Sequence, residues 1–217
     1  MAKVQGLKEK LHWPLYDAFV VPEQNGGPHT PTFQTEMDKR DSRILRFFVD
    51  VQNKTRLETN LQSSSTLPSL NSYEVRAMRV VVSPVLRHKP RKADEHSPDT
   101  DNVLADLIYN SVTSLLVGEK TMIEMPTYYF PAGAGVSPGN QALPSHGQPD
   151  PMATFRFSEP VQIEPNQNFR VEVQFPQGVP ERAKQSPSPY GPLRLGDASG
   201  PLRLWVVLDG YLTRDVQ

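Results

Sequence analysis

Apolar and polar residues alternate with a period of two along several short stretches of this chain, the mark of strands half-buried on a core. In Ile44–Gln52, Leu45, Phe47, Val49 and Val51 alternate with Arg46, Asp50 and Gln52. Phe48 interrupts the polar face and requires cover. Tyr73–Ser83 reads as a strand through Tyr73, Val75, Ala77 and Val80–Val82, and it stops at Pro84. Thr121–Phe130 reads as another, with Pro126 confining that position to an edge or a bulge. The clearest alternation comes later, with Phe155 and Phe157 about Arg156, then Val161 and Ile163 about Gln162. A turn over 165–168 leads to Phe169, Val171, Val173 and Phe175, alternating with Arg170, Glu172 and Gln174. These are two strands, the first bent near Pro160. The last strand, Leu202–Thr213, is apolar on both faces, which predicts a central strand covered above and below.

One stretch has helical spacing instead. Val103, Leu104, Leu107, Ile108, Val112 and Leu115 share a face. Asp101 or Asn102 can cap its start and Gly118 its end. The β-branched residues near its end leave open a change to strand by residue 112.

Between these elements the chain is polar or rich in Pro and Gly. Residues 1–42 read as an N-terminal arm, in which Leu11, Trp13, Leu15, Tyr16, Phe19, Val20 and Val21 form an apolar cluster broken by Pro14. Its aromatic content says that it docks, either on a neighbouring chain or as a further strand of the same sheet. Residues 43–217 form the expected domain, with long loops at 83–101, 131–151 and 176–201. No repeat of fixed period occurs, which argues against solenoids and propellers. Strands this widely separated suit an antiparallel β-sandwich whose connections cross between sheets. The expected fold is therefore mostly β, a single jelly roll with one short helix and an extended arm. An immunoglobulin-type sandwich is the rival, and its turn spacing of about 8–12 residues is exceeded here.

Composition narrows the function classes. The 217 residues contain 22 prolines, 13 glycines and no cysteine, with 37% apolar residues and a formal net charge of -1. The absence of cysteine excludes disulfides, thiolate metal sites and cysteine nucleophiles. The charge excludes a strongly basic nucleic-acid binder. Neither a signal-peptide pattern nor an 18-residue apolar stretch is present, so the expected place of folding is a cytosol.

Candidate chemistry is sparse. The five histidines, His12, His29, His88, His96 and His146, lie far apart in sequence, and none sits on a clear strand. His96 among Asp94, Glu95, Asp99 and Asp101 is better read as a solvated loop than as a cation site. Gly133-Ala134-Gly135 lacks the strand–turn–helix setting of a dinucleotide fingerprint. Arg87, Lys89, Arg91 and Lys92 form the one basic cluster and are candidates for contact with nucleic acid or an acidic surface. Tyr128 and Tyr129, beside Phe130, are the best candidates for exposed aromatic residues, although a buried edge strand is the commoner setting for such a run, and Trp205 reads as core.

The strand pair Phe155–Phe157, Val161–Pro165 and Phe169–Val173, with the closing strand Leu204–Gly210, resembles in style the jelly-roll coat proteins of icosahedral viruses and tail-less bacteriophages. The resemblance spans about residues 43–213, and the length admits one jelly roll rather than two. It implies a non-enzymatic capsid subunit that self-assembles through its arm and loops. Trp13, Tyr16, Phe19, Tyr128 and Tyr129 would be inter-subunit contacts. Partners would be copies of the chain, other coat proteins, and a genome or internal membrane surface met by the basic loop or the arm. The location would be a virion made in host cytoplasm. No cofactor, metal or small-molecule substrate is expected. The alternatives are a β-sandwich binding module for carbohydrate or protein, and a cupin-like jelly-roll enzyme.

Overall fold

The computed structural model describes residues 7–23, 31–40, 43–68, 70–83, 100–130, 134–135, 148–149, 154–181 and 194–216. The basic cluster Arg87–Lys92, the turn at 25–28, most of loops 83–101 and 131–151, and the middle of loop 176–201 lie outside them. So do His29, His88, His96 and His146.

In chain order the elements are β1 (Lys8–His12), β2 (Leu15–Val21), α1 (Phe33–Asp38), β3 (Ile44–Phe47), β4 (Ser72–Val82) and α2 (Thr100–Asn110). They continue with β5 (Val112–Val117), β6 (Lys120–Pro126), a 3-10 turn (Thr127–Tyr129), β7 (Ala134–Gly135), β8 (Gln148–Pro149), β9 (Arg156–Ile163), β10 (Phe169–Gln174) and β11 (Leu202–Asp215). The fold is mostly β, and every strand pairing is antiparallel.

β11 organises one sheet. One side of it pairs with β4, which pairs in turn with β9. The other side pairs in tandem with β2, through Leu202–Leu208, and with β1, through Tyr211–Asp215. Pro14 has no N–H to donate and interrupts what is otherwise one strand. The second sheet has the order β3–β10–β5–β6. Buried side chains of both sheets, such as Tyr73, Val206 and Leu208 from the first and Phe47, Leu115 and Val171 from the second, belong to one apolar cluster. α1 adds Phe33 and Met37 to it, and α2 adds Val103 and Leu107.

Several expectations are corrected by this arrangement. Residues 8–21 of the expected arm dock as strands of the first sheet, one of the two readings open to them. Both faces of β2 are covered, because Tyr16, Asp17 and Thr59 tie it to the 53–61 segment, and its apolar pattern therefore lacks alternation. The strand expected over 44–52 ends at Phe47. Phe48 takes φ 68°, which turns the chain and sends its ring into the core at 0% exposure. The helix ends at Asn110, where Ser111 Oγ donates to the Leu107 carbonyl at 2.5 Å, and the chain becomes strand at Val112. Pro126 does end a strand at a sheet edge. β9 and β10 do not pair with each other; the turn between them carries the chain from one sheet to the other. β11 is central, with even-numbered residues buried through Leu212 and odd-numbered ones only half covered. Trp205 lies on that outer face, its Nε1 donating to the Leu57 carbonyl at 2.9 Å, so it is not a core residue.

At the end of the sheets where β2 and β4 finish and β11 begins, the Leu195 N–H donates to Asp106 of α2 at 3.0 Å, and the Phe33 N–H of α1 donates to the Ala198 carbonyl at 2.9 Å. At the other end Ser65 of the 48–71 connection accepts from the Phe169 N–H, and the turn before β10 meets the β5–β6 turn through Gly118 N–H to Asn168 O.

Candidate functional site

Two surfaces carry exposed aromatic chemistry. The first lies at the end of the fold that carries α2 and the 3-10 turn. Thr127 is fully buried, and its Oγ1 lies 2.6 Å from Ser111 Oγ and 2.8 Å from Thr113 Oγ1. Its N–H donates to the Ser111 carbonyl at 3.0 Å. Phe130 is driven into the core behind it. A turn pinned at both ends in this way presents the two residues between, Tyr128 and Tyr129, to solvent. Their rings stack at 4.9 Å, and the row extends to Tyr109 on one side, at 6.1 Å, and to Phe155 on the other, at 6.1 Å. Phe157 follows at 6.2 Å from Phe155. Tyr109 is 71% exposed and is the most open of these rings. Sequence patterning missed it because it falls on the polar face of α2, where a single aromatic residue carries no periodic signal.

The second surface surrounds Trp13, at the break between β1 and β2. The indole is about half exposed, while the backbone is held firmly. The Trp13 N–H donates to the Gly210 carbonyl at 3.2 Å, and the Tyr73 hydroxyl lies 2.8 Å from the Trp13 carbonyl. Asn60 fixes the opposite wall, its Oδ1 accepting from the Tyr16 N–H at 3.0 Å and its Nδ2 donating to the Pro14 carbonyl at 2.7 Å. Between them lies an open groove of about 690 Å³, lined by Trp13, Tyr16, Lys54, Arg56 and Gln62 among others. A smaller depression of about 150 Å³ shares the Trp13–Gln62 wall and reaches Arg214. Beneath the groove the Lys54 ammonium meets both oxygens of fully buried Asp17, at 2.9 and 3.0 Å.

The structure thus separates the five aromatic residues expected at subunit contacts. Tyr128 and Tyr129 share one face and Trp13 stands at the other end. Tyr16 is half-buried, its hydroxyl donating to the Arg56 carbonyl at 2.5 Å. Phe19 is a core residue at 4% exposure, packed edge-on to Phe33 at 5.2 Å; its place on the inner face of β2 removes it from any contact with another chain.

The outer face of the first sheet carries a charge network. Glu74 accepts from Lys10 Nζ at 2.5 Å and from Arg76, and both cations also lie over the Tyr211 ring, at 4.9 and 5.0 Å. The hydrogen bonds from Lys10 and then Arg76 hold the Glu74 carboxyl below its usual 4.5. A depressed folded value stabilises the fold above the unfolded value and is lost as pH falls through the folded one. Glu74→Gln is therefore expected to lower stability at pH 7, with the deficit closing as pH drops below 4.5. Urea unfolding at several pH values checks this, and a deficit independent of pH overturns it.

Among the described residues, no group of three or more His, Cys, Asp or Glu is placed to hold a metal ion, and no helix is long and apolar enough to cross a membrane. No family model matches this chain, and no curated protein matches it.

Proposed function

We propose that this chain is a non-enzymatic structural subunit, a single jelly roll that assembles with copies of itself into a shell such as a viral capsid. The strand order carries the reading. β1 and β2 lie in tandem along one side of β11 and count as one strand broken at Trp13–Pro14. Leaving aside the two-residue β7–β8 pair, the strands in chain order then give one sheet as first–eighth–third–sixth and the other as second–seventh–fourth–fifth. This order supports the jelly-roll reading, in which two Greek keys fold into two packed sheets. The space between the sheets is filled by large apolar side chains, including Tyr73, Phe47, Phe48 and Phe169. A filled interior favours a building block over a cupin-type barrel with an internal site. The row of tyrosines is a further support, since large exposed aromatic residues are enriched at protein interfaces.

Light scattering on the full chain, with electron microscopy of the same sample, tests the proposal. Discrete oligomers or closed particles are expected. A monomer at every concentration up to the millimolar range overturns it and leaves the binding-module alternative. Tyr109→Ser/Tyr128→Ser/Tyr129→Ser is expected to raise the concentration needed for assembly at least tenfold, by about 1.4 kcal/mol or more, without lowering the unfolding midpoint. Unchanged assembly removes this face from the contact.

A further inference from the structure

The groove beside Trp13 lies in the segment expected to contact other chains or a genome, and it combines features that packing of the fold does not require. Its aromatic ring is open to solvent, yet the backbone that carries it is fixed by Gly210 and Tyr73. Neither depression beside the indole has an Asp or Glu in its lining, while Lys54, Arg56 and Arg214 are all present. Two of those cations are matched from outside the lining, Lys54 by Asp17 and Arg214 by Glu9. Arg56 has no ion-pair partner among the described residues, and its backbone carbonyl is anchored by the Tyr16 hydroxyl. Gln62 adds an exposed amide. The site thus offers an exposed indole on a fixed backbone, a guanidinium with no ion-pair partner among the described residues, and an amide, around a concave surface.

We propose that this groove binds nucleotide units of a single-stranded nucleic acid, with a base stacked on the Trp13 indole and one phosphate on Arg56. Stacking on an aromatic face is tolerant of sequence because every base has a π-face, and a guanidinium fits phosphate oxygens through paired donors. One cation without an ion-pair partner among the described residues fits a contact of one or two nucleotides, not a long electrostatic track. This agrees with a chain of net charge -1. The inference is independent of the shell reading, because an unassembled chain can bind through this groove and an assembling chain can lack the activity.

The test uses the full chain at dilute concentration with a fluorescein-labelled 12-mer of oligo-uridine, read by anisotropy and by tryptophan emission. Binding is expected to quench the emission and to depend weakly on salt, with a slope near -0.7 in log K against log salt for one phosphate on a single strand. Trp13→Ala is expected to weaken binding about 5- to 150-fold and to abolish most of the quench, whereas Trp13→Phe retains part of the affinity. Arg56→Ala is expected to bring the salt slope close to zero. Both side chains are exposed and their positions are set by backbone hydrogen bonds, so thermal midpoints stay unchanged. No binding, or binding untouched by Trp13→Ala, overturns the proposal. So does competition by inorganic polyphosphate as strong as that by unlabelled oligonucleotide, which reports an anion site without a base.

Discussion

Asp17→Ala is expected to destabilise the fold by about 3–5 kcal/mol, the cost of removing one partner from a buried ion pair. Asp17 is fully buried on the inner side of β2. Its Oδ2 accepts the Phe48 N–H at 2.7 Å, and both its oxygens accept from Lys54 Nζ. The loss falls on two groups at once. Lys54 is only 13% exposed and would keep an ammonium without a counter-charge. Phe48, at φ 68°, is a bulky residue in the left-handed region, a conformation that surrounding contacts must impose. Without the Asp17 acceptor its buried N–H is unpaired, and the corner that takes the chain from β3 into the 48–71 connection loosens. At about 2–4 °C per kcal/mol for a chain of this size, the thermal midpoint should fall by about 6–20 °C. Asp17→Asn keeps an acceptor for Phe48 and should fall between the two. Asp17→Ala/Lys54→Met removes both charges and should recover part of the loss. A loss under about 1 kcal/mol for Asp17→Ala, by urea unfolding, overturns this account.

Asp17 also illustrates what the sequence leaves unread. Period-two alternation is visible where one face of a strand meets the core and the other meets water. It locates β4, β9 and β10, whose outer faces are at least partly wet, whereas β11 is legible as a run apolar on both faces. β2 fails the test because a second layer, the 53–61 segment, covers its outer side, leaving Ala18 at 0% exposure. Its inner side holds a carboxylate whose counter-ion lies 37 residues away. A strand covered on both sides and carrying a buried charge reads locally as an apolar cluster, and so the segment resembled an arm. The change from α2 to β5 was visible as a possibility in its β-branched residues. Its position depends on Ser111 closing the helix and on Val112–Val117 finding β10 and β6 as partners.

The candidate surfaces were legible to the same degree. Tyr128 and Tyr129 stood out by composition, and their exposure follows from the buried hydroxyls of Ser111, Thr113 and Thr127, an arrangement that spans three elements. Trp13 stood out as a rare residue. The groove beside it is built by residues 51–62, which local pattern marks only as polar. Sheet order is non-local throughout: β11 pairs with strands that begin at residues 8, 15 and 72. No window of the sequence contains that information.

Gly210→Ala tests whether this non-local packing is as tight as the register implies. Gly210 lies at a shift in the β11–β4 register, where Asp209 faces Ala77 and Gly210 faces Val75. A Cβ built there would lie 2.0 Å from the Glu74 carbonyl oxygen and 3.1 Å from the Tyr73 ring. The nearest obstacle is backbone, so no rotamer change relieves it. β11 would have to retreat from β4, and it is held on its other side by β1 and by the Trp13 N–H on the Gly210 carbonyl. The expected cost is about 3 kcal/mol, at the upper end for overpacking. Gly118→Ala is the control. It sits at φ +59° in the β5–β6 turn with nothing within 4 Å of the added carbon, so only about 1–2 kcal/mol of backbone strain is expected. If steric contact with β4 governs, Gly210→Ala should be the more damaging substitution and should also disturb the emission of Trp13, whose backbone leans on the same carbonyl. Equal losses from the two substitutions, by urea unfolding, would show that β11 can yield at the bulge. The close approach of the two central strands would then contribute little to holding the sheet.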